Sequence, residues 1–197
     1  MKIYDISQEV FGCEVFSGDP IPQKQTVCSM DNGDLYNLTA FSMCAHNGTH
    51  IDAPYHFIND GATVENIELD KCVGFAYVVS HKGDVSAEDA RKMIENAKKL
   101  NADAYKKILI KGDATVTLEA ARFFADAGID LIGNESQTVG PIDSPMQVHL
   151  TLLGEGVILL EGIRLSSVSD GVYFLNAAPI SLGGADGAPV RAILIEF

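Results

Sequence analysis

Hydrophobic and polar positions change their rhythm about a third of the way along this chain. Val73 to Val79 is an apolar run suited to a buried strand. Next, Ala90, Met93, Ile94, Ala97 and Leu100 recur at helical spacing. Ser86 stands where an N-cap belongs and Asp89 follows three residues on, so 86–100 predicts a helix. Ile108 to Ile110 reads as a short strand, Thr117 to Ala127 as a helix closed by Gly128, and Ile129 to Ile132 as another strand. The segment SPMQVHLTLLGEG predicts a further helix. Ser144 is the expected N-cap, Pro145 the first helical residue, Gln147 the partner in a capping box, and Gly154 the stop. That helix carries His149 about one turn in, with Val148, Leu152 and Leu153 marking its buried side. Val157 to Leu160 then predicts a buried strand ending at Glu161, and Val172 to Leu175 and Val190 to Ile195 predict two more. Strand and helix in alternation imply a layered α/β arrangement with parallel strands.

The first third has little helical periodicity. Ile3 to Ile6 and Leu38 to Met43 read as strands, and Phe16 to Gln25 has the Gly and Pro density of a surface loop. No repeat, low-complexity tract or long linker interrupts residues 1–197, so a single domain is expected.

The second of those strands leads into HNGTHIDAPYH, residues 46–56, which holds three of the five histidines. Imidazole and carboxylate are ligands that zinc, manganese and iron accept. In extended structure His46, His50 and Asp52 face the same way, and Gly48 with Thr49 permits a bend that draws the imidazoles together. Pro54 cannot donate to a central ladder, so the strand should end near Ala53 and turn His56 over the site. Buried without a cation, each unsatisfied neutral group would cost roughly 1–3 kcal/mol. A metal centre is therefore the expected use of this segment.

The formal net charge of −13 disfavours polyanionic partners, so neither nucleic acid nor an anionic membrane surface is expected, and a small-molecule substrate is. The N-terminal MKIYDISQEV lacks an apolar core of signal-peptide length, and no window approaches a membrane span; a cytoplasmic protein is the expectation. Cys13, Cys28, Cys44 and Cys72 are widely spaced, which suggests free and mostly buried thiols, Cys44 included.

HNGTHIDAPYHF, together with YDIS, SGDP, LEAARFFADAGIDLIG, HLTLLGEGVILLEGIRL and GADGAPVRAIL, closely resembles the cyclase-like metal hydrolases, the family of bacterial kynurenine formamidase and isatin hydrolase. The resemblance implies a compact domain with a swivelling β/β/α core, a mixed sheet and flanking helices. It implies that His46, His50 and Asp52 bind one metal, that Asp52 and Glu161 are shared with a second, and that His149 completes the second site. His56 matches the general acid/base. Two Zn²⁺ are implied, with Mn²⁺ as the alternative, in a homodimer or homotetramer. The reaction implied is hydrolysis of an amide C–N bond in a small formamide or cyclic amide. A lyase or dehydratase using the same metals, and a non-catalytic metal-binding protein, are the other classes. Phe16 stands where kynurenine formamidases carry a tryptophan. In the loop from Gly133 to Pro141, Glu135 and Gln137 replace the family's aspartate and proline. Phe16, Tyr36, Phe57, Glu135 and Gln137 are therefore the candidate pocket residues.

Overall fold

Ile108, Leu109 and Ile110 are all inaccessible to solvent, as a strand covered on both faces requires. They lie at the centre of the computed structural model, which describes residues 1–197. In chain order the strands are β1 (Lys2–Asp5), β2 (Gln23–Cys28), β3 (Leu38–Ser42), β4 (His50–Asp52), β5 (Val73–Ser80), β6 (Gly83–Val85), β7 (Lys107–Lys111), β8 (Ala114–Val116), β9 (Leu131–Asn134), β10 (Ile158–Glu161), β11 (Gly171–Asn176), β12 (Gly187–Pro189) and β13 (Ile193–Glu196). The helices are α1 (Leu69–Cys72), α2 (Ala87–Leu100), α3 (Leu118–Asp126) and α4 (Met146–Gly154).

Nine strands form one mixed sheet in the order β1-β13-β11-β5-β7-β9-β10-β4-β12. Its centre, β5-β7-β9-β10, is parallel, and both flanks are antiparallel. Adjacent residues along a strand feed opposite faces. Ile108, Ile110, Ile132 and Leu159 join the core under α2, α3 and α4, while Leu109, Leu131, Ile158 and Leu160 join the core on the other side with Ile6, Ile51 and Leu165. β6 and β8 make a small parallel pair, too short to stand out in the sequence.

The helix signals hold with two exceptions. Ser86 and Asp89 form the reciprocal capping box at the start of α2, and Ala90, Met93, Ile94 and Ala97 are buried, but Leu100 is 62% exposed at the frayed end. Gly128, at φ +65°, closes α3 in the left-handed region that glycine tolerates. At α4 the expected Ser144 cap and Gln147 capping box are absent. Pro145 is itself the N-cap, and its carbonyl accepts the N–H groups of Val148 and His149 at 3.1 Å. Of the expected strand over Val190 to Ile195 only Ile193 onward is strand, as β13, with β12 ending before it at Pro189, and β2 begins inside the stretch read as loop. Of the four free thiols only Cys72 is buried; Cys44 is half-buried, with Asp19 Oδ2 3.9 Å from its sulfur.

Candidate metal centre

His50 and Asp52 lie two residues apart on β4, so they share a face, and Ile51 between them enters the opposite core. That face looks toward α4. Register brings Glu161 of β10 directly opposite His50, and α4 delivers His149 from above. His46 is not on the strand, contrary to the regular extended segment expected. It sits in a turn before β4, where Gly48 adopts φ +66°, a conformation that also brings the Gly48 carbonyl within 3.0 Å of His50 Nδ1.

The polar atoms converge tightly. Asp52 Oδ1 is 2.8 Å from His46 Nδ1 and 3.4 Å from His50 Nε2. Glu161 Oε2 is 3.4 Å from His50 Nε2, and Glu161 Oε1 is 3.2 Å from His149 Nε2. His149 Nε2 also stands 3.5 Å from Asp52 Oδ2. Beside a rim group of His46, His56 and Asp186, two buried groups result, His46–His50–Asp52 and Asp52–His149–Glu161, each with its ligand atoms close enough to hold one ion. Asp52 belongs to both. The five residues identified in the sequence as ligands are thus brought together, although His149 follows Asp52 by 97 positions.

The outward nitrogens of the three imidazoles identify the inward ones. His50 Nδ1 donates to the Gly48 carbonyl, His149 Nδ1 to the Pro145 carbonyl at 2.9 Å, and His46 Nε2 to Asp186 Oδ2 at 2.8 Å. A neutral imidazole has one N–H, so each inward nitrogen would present a lone pair to a carboxylate. Acceptors facing acceptors need positive charge between them. Asp52 Oδ2 makes the same demand: it is buried and no hydrogen bond reaches it. Nitrogen and carboxylate donors that converge in this way fit a divalent cation of the zinc or manganese kind.

The electrostatics agree. Burial opposes a charged imidazole at His46, but hydrogen bonds to Asp186 and Asp52 outweigh it and raise its pKa to about 11. Burial likewise opposes charge at His149 and His50, and the carboxylates of Asp52 and Glu161 raise them to about 10 and about 9. Burial favours a protonated Asp52, yet the imidazoles of His149, His46 and His50 that face it hold it well below the usual carboxylate range. The cage is built to hold positive charge, as protons or as metal.

Above the ligands lies a cavity of about 240 Å³ lined by Phe16, Asp19, Phe57, Gln137 and Thr138 as well as the histidines and Glu161. His56, in the turn that follows Pro54, is on its wall, with its ring 4.0 Å from that of His46. Phe16, Phe57 and Gln137 are on the wall of this cavity. Tyr36 is not: it is 57% exposed in the connection between β2 and β3. Glu135 is not either, because its carboxylate turns away to accept the N–H groups of Gly112 and Leu165 at 2.6 and 2.8 Å and so pins two loops. With its amide set to complement its neighbours, Gln137 donates to the Gly48 and Glu14 carbonyls and accepts from Gln8 Nε2, which ties the cavity wall to the turn before β4.

Asp186 was missed by sequence reasoning. Its Oδ2 lies 2.8 Å from His46 Nε2 and 3.2 Å from His56 Nδ1, and the bond from His46 holds its carboxyl well below the usual range. GADGAPVR contains it, but a lone Asp followed by a glycine reads as a turn residue. Asp19 and the buried, unpartnered Thr138 hydroxyl are further cavity residues without a sequence signal.

Comparison with known proteins places this geometry. Residues 4–141 match the family described as "Putative cyclase". The chain is 33% identical to a kynurenine formamidase of Salinibacter ruber, across 98% of this chain and 97% of that protein, and 32% identical to one of Bacillus cytotoxicus across 96% and 95%. Among solved structures, a potential metal-dependent hydrolase with cyclase activity superposes with a TM-score of 0.80 at 30% identity, covering 98% of this chain and 96% of the other. Isatin hydrolase A from Labrenzia aggregata shares the fold, with a TM-score of 0.82 at 21% identity over 98% and 93%. The chain belongs to the cyclase family.

Proposed function

We propose that this protein is a metal-dependent hydrolase that cleaves the C–N bond of a small formamide or cyclic amide, a kynurenine formamidase-like activity. One observation carries the reading: two buried carboxylates and three oriented imidazoles converge under a cavity whose wall holds a further imidazole, in a chain 33% identical to a kynurenine formamidase over nearly its full length. His46, His50 and Asp52 would hold one cation, and Asp52, His149 and Glu161 a second, as two Zn²⁺ or alternatively Mn²⁺. When bound, such cations supply a reactive water at neutral pH and polarise a carbonyl.

The chain's own residues do the rest. At about 240 Å³ the cavity is below the usual range for drug-sized ligands, about 300–1,000 Å³, and so selects a small substrate. Phe16 and Phe57 offer apolar walls for a planar ring, and Gln137 and Thr138 offer polar contacts. His56 donates its Nδ1–H to Asp186, which leaves Nε2 free to take a proton from the attacking water and pass it to the departing nitrogen. An imidazole suits that task because one ring nitrogen can accept and release a proton while the other stays hydrogen-bonded.

A homodimer, or a tetramer built from it, belongs to the same proposal. A two-stranded ribbon alone is marginal in water, yet β2–β3 exposes Val27, Leu38 and Phe41 beside a groove lined by Phe11, Met43 and Ile180. A second copy would cover both, and light scattering that finds only monomer removes this part. A cytoplasmic setting is proposed from the sequence; no helix is long and apolar enough to cross a membrane.

The test of the reading is His56→Ala. Assayed on N-formylkynurenine, isatin and simple cyclic amides, it should lower turnover by roughly 10²–10⁴-fold with metal content unchanged. Loss of metal would make His56 a ligand, and unchanged turnover would end its role in proton transfer.

A further inference from the structure

Both imidazoles that meet Asp186 bond to the same oxygen, Oδ2, His46 through Nε2 at 2.8 Å and His56 through Nδ1 at 3.2 Å. Their rings lie face to face, 4.0 Å apart and tilted by 31°. We propose that Asp186 is a positioning residue that couples the two halves of the machinery, orienting a metal ligand and the proton-transfer histidine through one carboxylate oxygen. The proposal rests on the metal-centre reading above and deepens it.

The chemistry of imidazole makes the assignment. With a cation on the Asp52 side of His46, the nitrogens of His46 and His56 that are bonded to Asp186 carry the protons, which fixes both tautomers. His46 must then turn Nδ1 inward, where Asp52 Oδ1 waits at 2.8 Å, and His56 must keep Nε2 available to the cavity. The other two ligand histidines are oriented by neutral carbonyls, those of Gly48 and Pro145. Only His46 receives a charged acceptor, the stronger kind of orienting partner and one that raises ligand basicity.

Asp186 is placed by the strand that carries the ligands. Gly187 pairs with Asp52 in the β12–β4 ladder, and the Asp186 carbonyl accepts the Ala53 N–H at 2.9 Å. Gly187 has no room for a side chain: a Cβ there would come within 2.7 Å of His46 Cε1 and 2.6 Å of the Ile51 carbonyl. The backbone next to Asp186 is thus pressed against the very ring that Asp186 orients. With 41% of its side chain exposed, Asp186 sits at the rim, where replacement should not unfold the chain.

The test is Asp186→Asn, with Asp186→Ala as the second variant should the first misfold. Zinc affinity is measured against a competing chelator, and kcat and KM at saturating zinc. The expected result is the wild-type number of zinc ions bound 10–100-fold more weakly, and a lower kcat with KM little changed. In a His56→Ala background the kcat loss from D186N should vanish while the zinc defect persists. Imidazole ¹⁵N spectra of the zinc-loaded variant should lose the Nδ1-protonated signal of His56. Zinc affinity and kcat equal to wild type would overturn the proposal, and loss of one zinc equivalent would make Asp186 a ligand instead. Zinc affinity needs no substrate, so a wild-type chain that cleaves no amide would refute the hydrolase reading and leave this assignment to its own result.

Discussion

The two ligand groups share Asp52 but are built in different ways. His46, His50 and Asp52 come from seven consecutive residues, a turn followed by the start of β4. His149 and Glu161 come from a helix and a strand that reach the same place only because β10 pairs with β4 and α4 packs over them. The first group is a local property of the chain and the second a property of the fold. Disturbing the packing of α4 should therefore damage the second group and spare the first, whereas Asp52 belongs to both.

Replacing Asp52 with Asn should have the largest effect. The variant keeps the shape and loses the charge that balances both ions, so metal affinity at both positions should drop by more than the roughly 100-fold that an outer contact is worth, and turnover should vanish with it. Elemental analysis after gel filtration reads this directly. Full occupancy would show that the shared carboxylate is not shared.

A smaller effect should separate the stripped from the loaded protein. Without metal, the carboxylates stabilise charged imidazoles, and the folded pKa values of His50, His149 and His46 stand at about 9, 10 and 11 against an ordinary value of about 6.5. Values raised on folding mean that this stabilisation is complete below pH 6.5 and is lost as pH rises through the folded values. The melting temperature of the chelated protein should fall from about pH 7 to 11, at roughly 2–4 °C for each kcal/mol lost. With zinc bound the imidazoles are neutral ligands and this decline should be much reduced. A chelated protein with a flat profile over that range would remove the imidazole–carboxylate cage as a source of stability.

The same contrast explains what the sequence could convey. α2 and α3 were legible because caps and apolar periodicity are local, and so was the first ligand group, because four metal-binding side chains within eleven residues have few other uses. His149 and Glu161 gained their meaning from the family resemblance, since nothing in a helix–strand pair says what faces it across the sheet. Asp186 lies in the motif GADGAPVRAIL, but no chemistry could be read for it there: its role depends on β12 adding to the edge of β4, a pairing between residues more than 130 positions apart. Tyr36 and Glu135 show the opposite failure. An aromatic and a carboxylate near the right segments suggested a pocket, but Tyr36 projects into solvent, and Glu135 spends its oxygens on two backbone N–H groups. The cap of α4 failed because Pro145 closes the first turn with its own carbonyl, which leaves Ser144 before the helix and no side chain capping it.

Calorimetric titration of the metal-free chain with Zn²⁺, run beside His149→Ala, tests the convergence of the two groups most directly. Two equivalents are expected in the wild type and one in the variant, with the ion at His46, His50 and Asp52 retained. A wild type that takes up no zinc, or a variant that still binds two, would contradict it.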